Sequence, residues 1–261
     1  MHRPAVSFAV SVWLATLLSL SVTPAVAGND LELHVGIARE SSLPMATANN
    51  GVLIGLAVDL SRLLTEQLGM ELRLSELPER DLIPALKGGR IDVMLSTLPE
   101  PELRALRLLP SQPLLQTGQL ALIQEKDMDR YPRQVDVLST SGKVGYERGT
   151  TAARVVHQRI PQAERIPFPD AWQALSALKR GEIDLLVLDA LRAWNLLADP
   201  AESKLTALLD PLLSERLVWA VREKDVHLLA RINTAIAQWQ SDGTLARQIG
   251  RWIPLRIEAT R

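Results

Sequence analysis

ALKGGRIDVMLST at residues 85–97 returns as ALKRGEIDLLVLD at residues 177–189, with Ala, Leu, Lys, Gly, Ile and Asp in register at an offset of 92. Each copy reads as the end of a helix, then a glycine able to take the left-handed cap that a Cβ disfavours, then an aliphatic run that suits a buried strand. Two such junctions half a chain apart predict two similar α/β lobes. Ligands of open α/β sheets sit beyond the carboxyl ends of the strands. The echo therefore nominates Ser96 and Thr97 after the first strand and Asp189 after the second.

Strand and helix signals alternate on both sides of these copies. Leu31, Leu33, Val35 and Ile37 recur at period two, and Leu72 and Leu74 do the same. Between them LAVDLSRLLTEQLG places Leu60, Leu63, Leu64 and Leu68 on one helical stripe that stops at Gly69. Asp81 is expected to cap a helix through Leu86, with Pro84 in its first turn and Gly88-Gly89 at its end, before the strand RIDVMLS. A strand near Lys143–Tyr146 and helices over Thr151–Gln158 and Ala171–Lys179 follow. Asp225 can cap a helix whose Leu229, Ile232, Ile236 and Trp239 form one stripe, and Gly243 separates it from a last short helix able to return to the first lobe. Trp172 and Trp194 read as core residues. The interleaving is the α/β signature.

Composition narrows the function. The 261 residues are 47% apolar and 23% charged, and 29 basic against 30 acidic side chains give no polyelectrolyte balance for nonspecific nucleic-acid binding. There is no cysteine, so thiol nucleophiles and thiolate metal sites are excluded. Arg3, the apolar run from about Ala5 to Leu20, and small residues at Ala25 and Ala27 form the three parts of a secretory signal, residues 1–27, cleaved after Ala27. Past that signal, no segment has the roughly eighteen consecutive apolar residues of a spanning helix, so no stable membrane insertion is expected. The four histidines have no ligand spacing, and no phosphate loop, dinucleotide fingerprint or nucleophile elbow occurs. No metal, cofactor or catalytic residue is assigned.

Taken in order, VGIA (35–38), IGLAVDLSRLLTEQLG (54–69), LIPALKGGRIDVMLS (82–96), LRALRLLPSQPLLQTGQLALI (103–123), GKVGYERGTTA (142–152), ALKRGEIDLLVLDA (177–190) and INTAIAQWQSDGTLARQIGRWI (232–253) resemble a known family. It is the type 3 periplasmic solute-binding proteins, which bind polar amino acids for ABC importers. The likeness runs from about Leu33 to Pro254. It implies the two-lobed periplasmic binding protein fold (type II), with two α/β lobes joined by crossing segments near Leu114–Gly118 and Glu215–Val218. Lobe 1 would comprise residues 28–116 and 218–261, and lobe 2 residues 117–217.

The resemblance also implies site residues. Arg104 matches the arginine that holds an amino acid's carboxylate, a role that suits a planar, permanently charged guanidinium. Asp189 matches the carboxylate that meets the α-ammonium, and it can equally cap the helix starting ALRAWNLL. Thr151 matches a position facing the ligand carboxylate at a helix start. Glu147 falls where the ligand side chain is met, and together with Glu40 it would suit a cationic one. Pro99 replaces a hydroxyl residue, leaving Ser96 and Thr97 to supply the lost donors. Ser41 or Ser42 and Leu56 stand where the family has an aromatic clamp, and Ala38 stands where it has an acidic contact.

These readings predict a monomeric periplasmic binding protein that captures a small zwitterion, an amino acid, by lobe closure and delivers it to an inner-membrane ABC permease. Two alternatives on the same fold are a cyclohexadienyl or arogenate dehydratase-like enzyme and a sensing module for a membrane receptor.

Overall fold

The computed structural model describes residues 32–39, 43–208 and 210–253; the signal sequence expected over 1–27 lies outside them, as do Glu40, Ser41 and Ser42. Chain order is β1 (Glu32–Ala38), β2 (Thr47–Asn49), β3 (Val52–Ile54), α1 (Leu56–Leu68), β4 (Glu71–Leu77), α2 (Glu79–Lys87), β5 (Val93–Ser96), α3 (Glu100–Ala105), β6 (Leu108–Pro110) and β7 (Leu115–Gln124). It continues through α4 (Gln134–Leu138), β8 (Lys143–Glu147), α5 (Thr151–Arg159), β9 (Glu164–Phe168), α6 (Ala171–Arg180), β10 (Leu185–Asp189), α7 (Ala190–Leu197), β11 (Leu205–Ala207), β12 (Leu213–Arg222), α8 (Val226–Ser241) and α9 (Thr244–Trp252). The fold is two α/β lobes joined by two crossing segments.

The strand order β4-β1-β5-β12-β7-β10-β8-β9 contains two parallel triplets, β4-β1-β5 and β9-β8-β10, separated by the antiparallel pair β12 and β7. Each triplet comes from a β-α-β-α-β run, the first interrupted by the β2–β3 hairpin, and in each the strand that comes first in sequence lies in the middle. The sequence echo falls at corresponding places in both. Gly89 and Gly181 take φ of 76° and 74°, the left-handed region. Ile91 and Ile183, two residues on, are buried. An added Cβ on Gly36 or on Gly145 would come within 2.4 Å of the Cδ1 of Ile91 or Ile183 respectively, so glycine on each central strand lets that isoleucine in.

The polar residue of the echo is matched as well. Asp92 accepts the amide of His34 on β1 at 3.1 Å and pairs with Arg222 at 3.0 Å. Asp184 accepts the amide of Lys143 on β8 at 2.7 Å and pairs with Arg130 at 2.8 Å. In both lobes this carboxylate takes an amide of the neighbouring strand, so the ladder proper starts one residue later. That is why β5 begins at Val93, later than the segment RIDVMLS suggested.

Three local expectations need correction. α2 starts at Glu79 after Pro78, so Asp81 is a first-turn acid favoured by the helix dipole and not the cap, and Pro84 lies inside the helix. Trp194 is buried, whereas Trp172, at the start of α6, is 69% exposed and not a core residue. An Asn50-Gly51 turn with φ of 50° and 78° joins β2 to β3, a hairpin signal that the period-based reading passed over. α1 ends as its sequence indicates, at Gly69 with φ of 65°.

Helices α8 and α9 return to α1. Ile232, Ala235, Ile236 and Trp239 form the buried face of α8. Trp252 donates its indole N–H to Asp59 at 2.9 Å, and Arg251 meets the same carboxylate at 3.2 Å. Among the described residues no helix is long and apolar enough to cross a membrane.

Candidate functional site

The long strands β7 and β12 make the connection between the lobes. β12 pairs with β7 over Leu213–Leu217 and with β5 over Val218–Ala220. β7 pairs with β12 over Leu115–Gln119 and with β10 over Gln119–Leu122. Cross-strand partners share a sheet face. Asp189 lies opposite Gln119, and Glu215 lies opposite Thr117, so all four side chains project to one side. Gly118, between Thr117 and Gln119, has no room for a side chain against the other crossing strand: an added Cβ would lie 2.1 Å from the carbonyl oxygen of Leu213.

That face opens into a cavity of about 830 Å³. One wall carries Ala38, Met45, Ala57, Ser96, Thr97 and Leu98; the other carries Glu147, Thr150, Thr151, Arg154, Asp189 and Arg192. Thr117, Gln119, Glu215 and Leu217 from the crossing strands line it between the two walls. The volume suits a small organic ligand. The apolar surface of the first wall comes from aliphatic side chains, Met45 and Trp219. Leu56, at the position of the expected clamp, is buried in the core.

Local chemistry fixes the polar side chains. Asp189 ends β10 and caps α7, accepting the Arg192 amide at 3.0 Å. The Arg192 guanidinium then reaches Asp189 at 3.4 Å and Glu147 at 2.8 Å, so one cation serves two carboxylates. Thr150, not Thr151, is the cap residue of α5; it donates its hydroxyl proton to the Glu147 carbonyl at 2.8 Å and accepts the Ala153 amide at 3.4 Å. The Thr151 hydroxyl accepts from Arg154 at 3.1 Å. On the facing wall the Ser96 hydroxyl accepts the Leu98 amide at 3.1 Å, and Thr97 lines the cavity beside it.

Five of the six nominated residues thus line one cavity: Ser96, Thr97, Glu147, Thr151 and Asp189. The structure does not bring Arg104 to them. Its guanidinium lies along α3, 2.7 Å from Glu100 four residues earlier, with both side chains more than half exposed. Pro99 caps the start of α3, and Glu100 follows it directly, which puts an acid on the helix face that Arg104 shares.

Gln119, Glu215, Arg154 and Arg192 escaped the sequence reading. Gln119 donates from its side-chain amide to Glu215 at 2.9 Å, a contact between residues 96 apart in sequence. The available signal was a polar residue in the otherwise aliphatic run QLALI, and an acid in LSERLVWAV on a segment already expected to cross between lobes. Electrostatics sets these acids apart. Burial pushes the Asp189 carboxyl above its ordinary range, opposed by the Arg192 charge and the capping amide and aided by Glu147. Burial likewise pushes Glu215 up, opposed by the Gln119 hydrogen bond and Arg154 and aided by the charge of Asp189.

Residues 33–254 match the family model of the bacterial extracellular solute-binding proteins, family 3. The chain belongs to that family. It is 24% identical over 233 residues to the ABC transporter glutamine-binding protein of Bacillus subtilis (strain 168), covering 88% of this chain and 83% of that one. It is 26% identical over 213 residues to the ABC transporter arginine-binding protein 1 of Escherichia coli (strain K12), covering 79% and 84%. Among solved structures, an ancestral cationic amino acid solute-binding protein superposes with a TM-score of 0.73 at 26% identity, covering 85% of this chain and 96% of that one.

Proposed function

We propose that this family 3 protein captures an amino acid in the interlobe cleft and presents the closed form to an inner-membrane ABC importer, acting as a periplasmic monomer after removal of residues 1–27. The observation that carries this reading is a single cavity whose walls come from both lobes and both crossing strands, with the partly buried carboxylate of Asp189 in one wall. The names of its relatives as amino-acid-binding proteins of ABC transporters support it.

The α-ammonium is met by Asp189. The carboxylate is met by Arg104, together with Ser96, Thr97 and the start of α5 at Thr151. Arg104 reaches it by leaving Glu100, which costs little, because an exposed pair four apart on a helix contributes only about 0.3–0.5 kcal/mol. Closure follows because the ligand gains its full set of charge-assisted hydrogen bonds only when both lobes touch it. The proposed lobe boundaries, residues 28–116 with 218–261 and 117–217, are supported by the change of partner along β12, from β7 through Leu217 to β5 from Val218.

Titration calorimetry of the purified protein against single amino acids tests the reading. Binding is expected, and Arg104→Ala should weaken it at least roughly a hundredfold, the scale of a bidentate charged pair, while the circular dichroism spectrum stays native. Unchanged affinity in that variant removes Arg104 from the site. An aromatic product from prephenate or arogenate would replace capture with catalysis.

A further inference from the structure

We propose that Glu215 and Gln119, one from each crossing strand, form a second cation-binding subsite at the floor of the cleft, so that the ligand is an amino acid whose side chain carries an ammonium or guanidinium group. This deepens the amino-acid reading above and rests on it.

Charge is the first support. Beside the crossing strands the cavity is lined by three carboxylates, Glu147, Asp189 and Glu215, and by two guanidinium groups, Arg154 and Arg192. Arg192 is shared between Glu147 and Asp189. Arg154 is turned to Thr151. Glu215 makes no ion pair within 4 Å among the described residues: the Arg154 charge acts on it from further away, and its direct contact is one hydrogen bond from the Gln119 amide. A neutral zwitterion brings one positive charge, which Asp189 takes, and leaves Glu215 as it was.

Hydrogen bonding gives an independent support. Gln119 is 3% exposed, and its side-chain carbonyl Oε1 has no hydrogen-bond partner among the described residues. Buried acceptors without a donor are uncommon. The same amide group donates to Glu215 and lies directly opposite Asp189, so an unmet acceptor and a carboxylate without a direct ion pair meet at one place on the cavity lining. An ammonium or guanidinium supplies several N–H donors at once and satisfies both.

Geometry gives the third. Asp189, Gln119 and Glu215 sit on the neighbouring strands β10, β7 and β12 with their side chains on one face. Two strand spacings and an offset of two residues along the strands separate the two acids at the backbone, roughly 12 Å. That suits a ligand whose two cations are held several bonds apart, one on Asp189 and one on Glu215.

The test compares L-lysine with L-norleucine, which has the same four side-chain carbons and a hydrogen in place of the ammonium, by calorimetry at pH 8 on the wild type and on Glu215→Gln. That substitution keeps the shape and the place beside Gln119 and removes the charge. The wild type should prefer lysine by roughly tenfold or more, the scale of one charged hydrogen bond, and the variant should lose most of that preference. Equal affinities for the two ligands in the wild type, or an unchanged lysine preference in Glu215→Gln, overturns the subsite and leaves amino-acid capture standing. Failure of every amino acid to bind the wild type overturns both.

Discussion

Asp189 serves two structures at once, capping α7 with one oxygen and standing in the cleft wall. Helix cap and guanidinium both favour its charged form, yet burial outweighs them and its pKa is raised. At Glu215 the balance tips the same way with weaker support, since a neutral amide is its hydrogen-bond partner and the charge of Asp189 works against it. The consequence for stability has a definite sign. A carboxyl whose folded pKa lies above its unfolded value keeps its proton longer in the native state, so stability falls as pH rises from about 4.3, the unfolded value for glutamate, through the folded one. Glu215→Gln removes that loss. The ligand-free variant should therefore melt roughly 2–4 °C above the wild type at pH 8, with the gap closing as the solution is acidified toward pH 4. Scanning calorimetry across this range checks it, and a gap that widens on acidification would reverse the assigned sign. For a cationic ligand the dependence runs the other way: binding needs the ionised carboxylate, so affinity should decline as pH falls through the raised pKa.

Asp92 and Asp184 extend the argument from residues to elements, because each ties the start of one strand to the middle strand of its triplet and to an arginine. Removing either carboxylate strands a backbone amide and a guanidinium together. Asp92→Ala and Asp184→Ala should each lower the unfolding free energy by about 1–3 kcal/mol, and by similar amounts. Urea titration measures both, and a neutral effect at one site would mean that the sequence echo does not reflect equal structural work. The echo was legible because everything in it is local: a helix end, a left-handed glycine and a strand within thirteen residues. α1, α5, α6 and α8 were legible for the same reason, each carrying its own period and stop. Pro84 was misjudged because its position in the helix depends on where α2 begins, and Pro78 set that start further upstream than the Asp81 cap implied. The floor of the cleft was illegible for a different reason. Gln119 and Glu215 acquire meaning only from the pairing of β7 with β12, and no short-range pattern in either strand specifies its partner. Arg104 lies between these cases, since a helical partner four residues away was readable as an alternative to a ligand.

For the whole molecule, the decisive feature is that the two crossing strands both connect the lobes and line the ligand cavity. The proposed closure would pass through β7 and β12, and the residues proposed to meet a side-chain cation are on those strands, so occupancy and lobe position would act on the same backbone. Gly118 is the place to disturb this coupling. Its missing Cβ would lie 2.1 Å from the Leu213 carbonyl oxygen, a contact relieved by shifting the backbone of β7 at this residue or of β12 opposite it. Thr117 and Gln119 flank it and line the cavity, so the displacement reaches the binding surface directly. Gly118→Ala should therefore lower the melting temperature and weaken amino-acid binding together. Gly250 in α9 is the matched control: an added Cβ there meets nothing within 4 Å, and alanine is preferred over glycine in a helix by about 1 kcal/mol. Gly250→Ala should stabilise the protein without changing affinity. Thermal melts and calorimetry on the two variants separate a hinge that is also a binding surface from one that is only a tether: if Gly118→Ala costs stability but binds ligand as the wild type does, the strands connect the lobes without shaping the site.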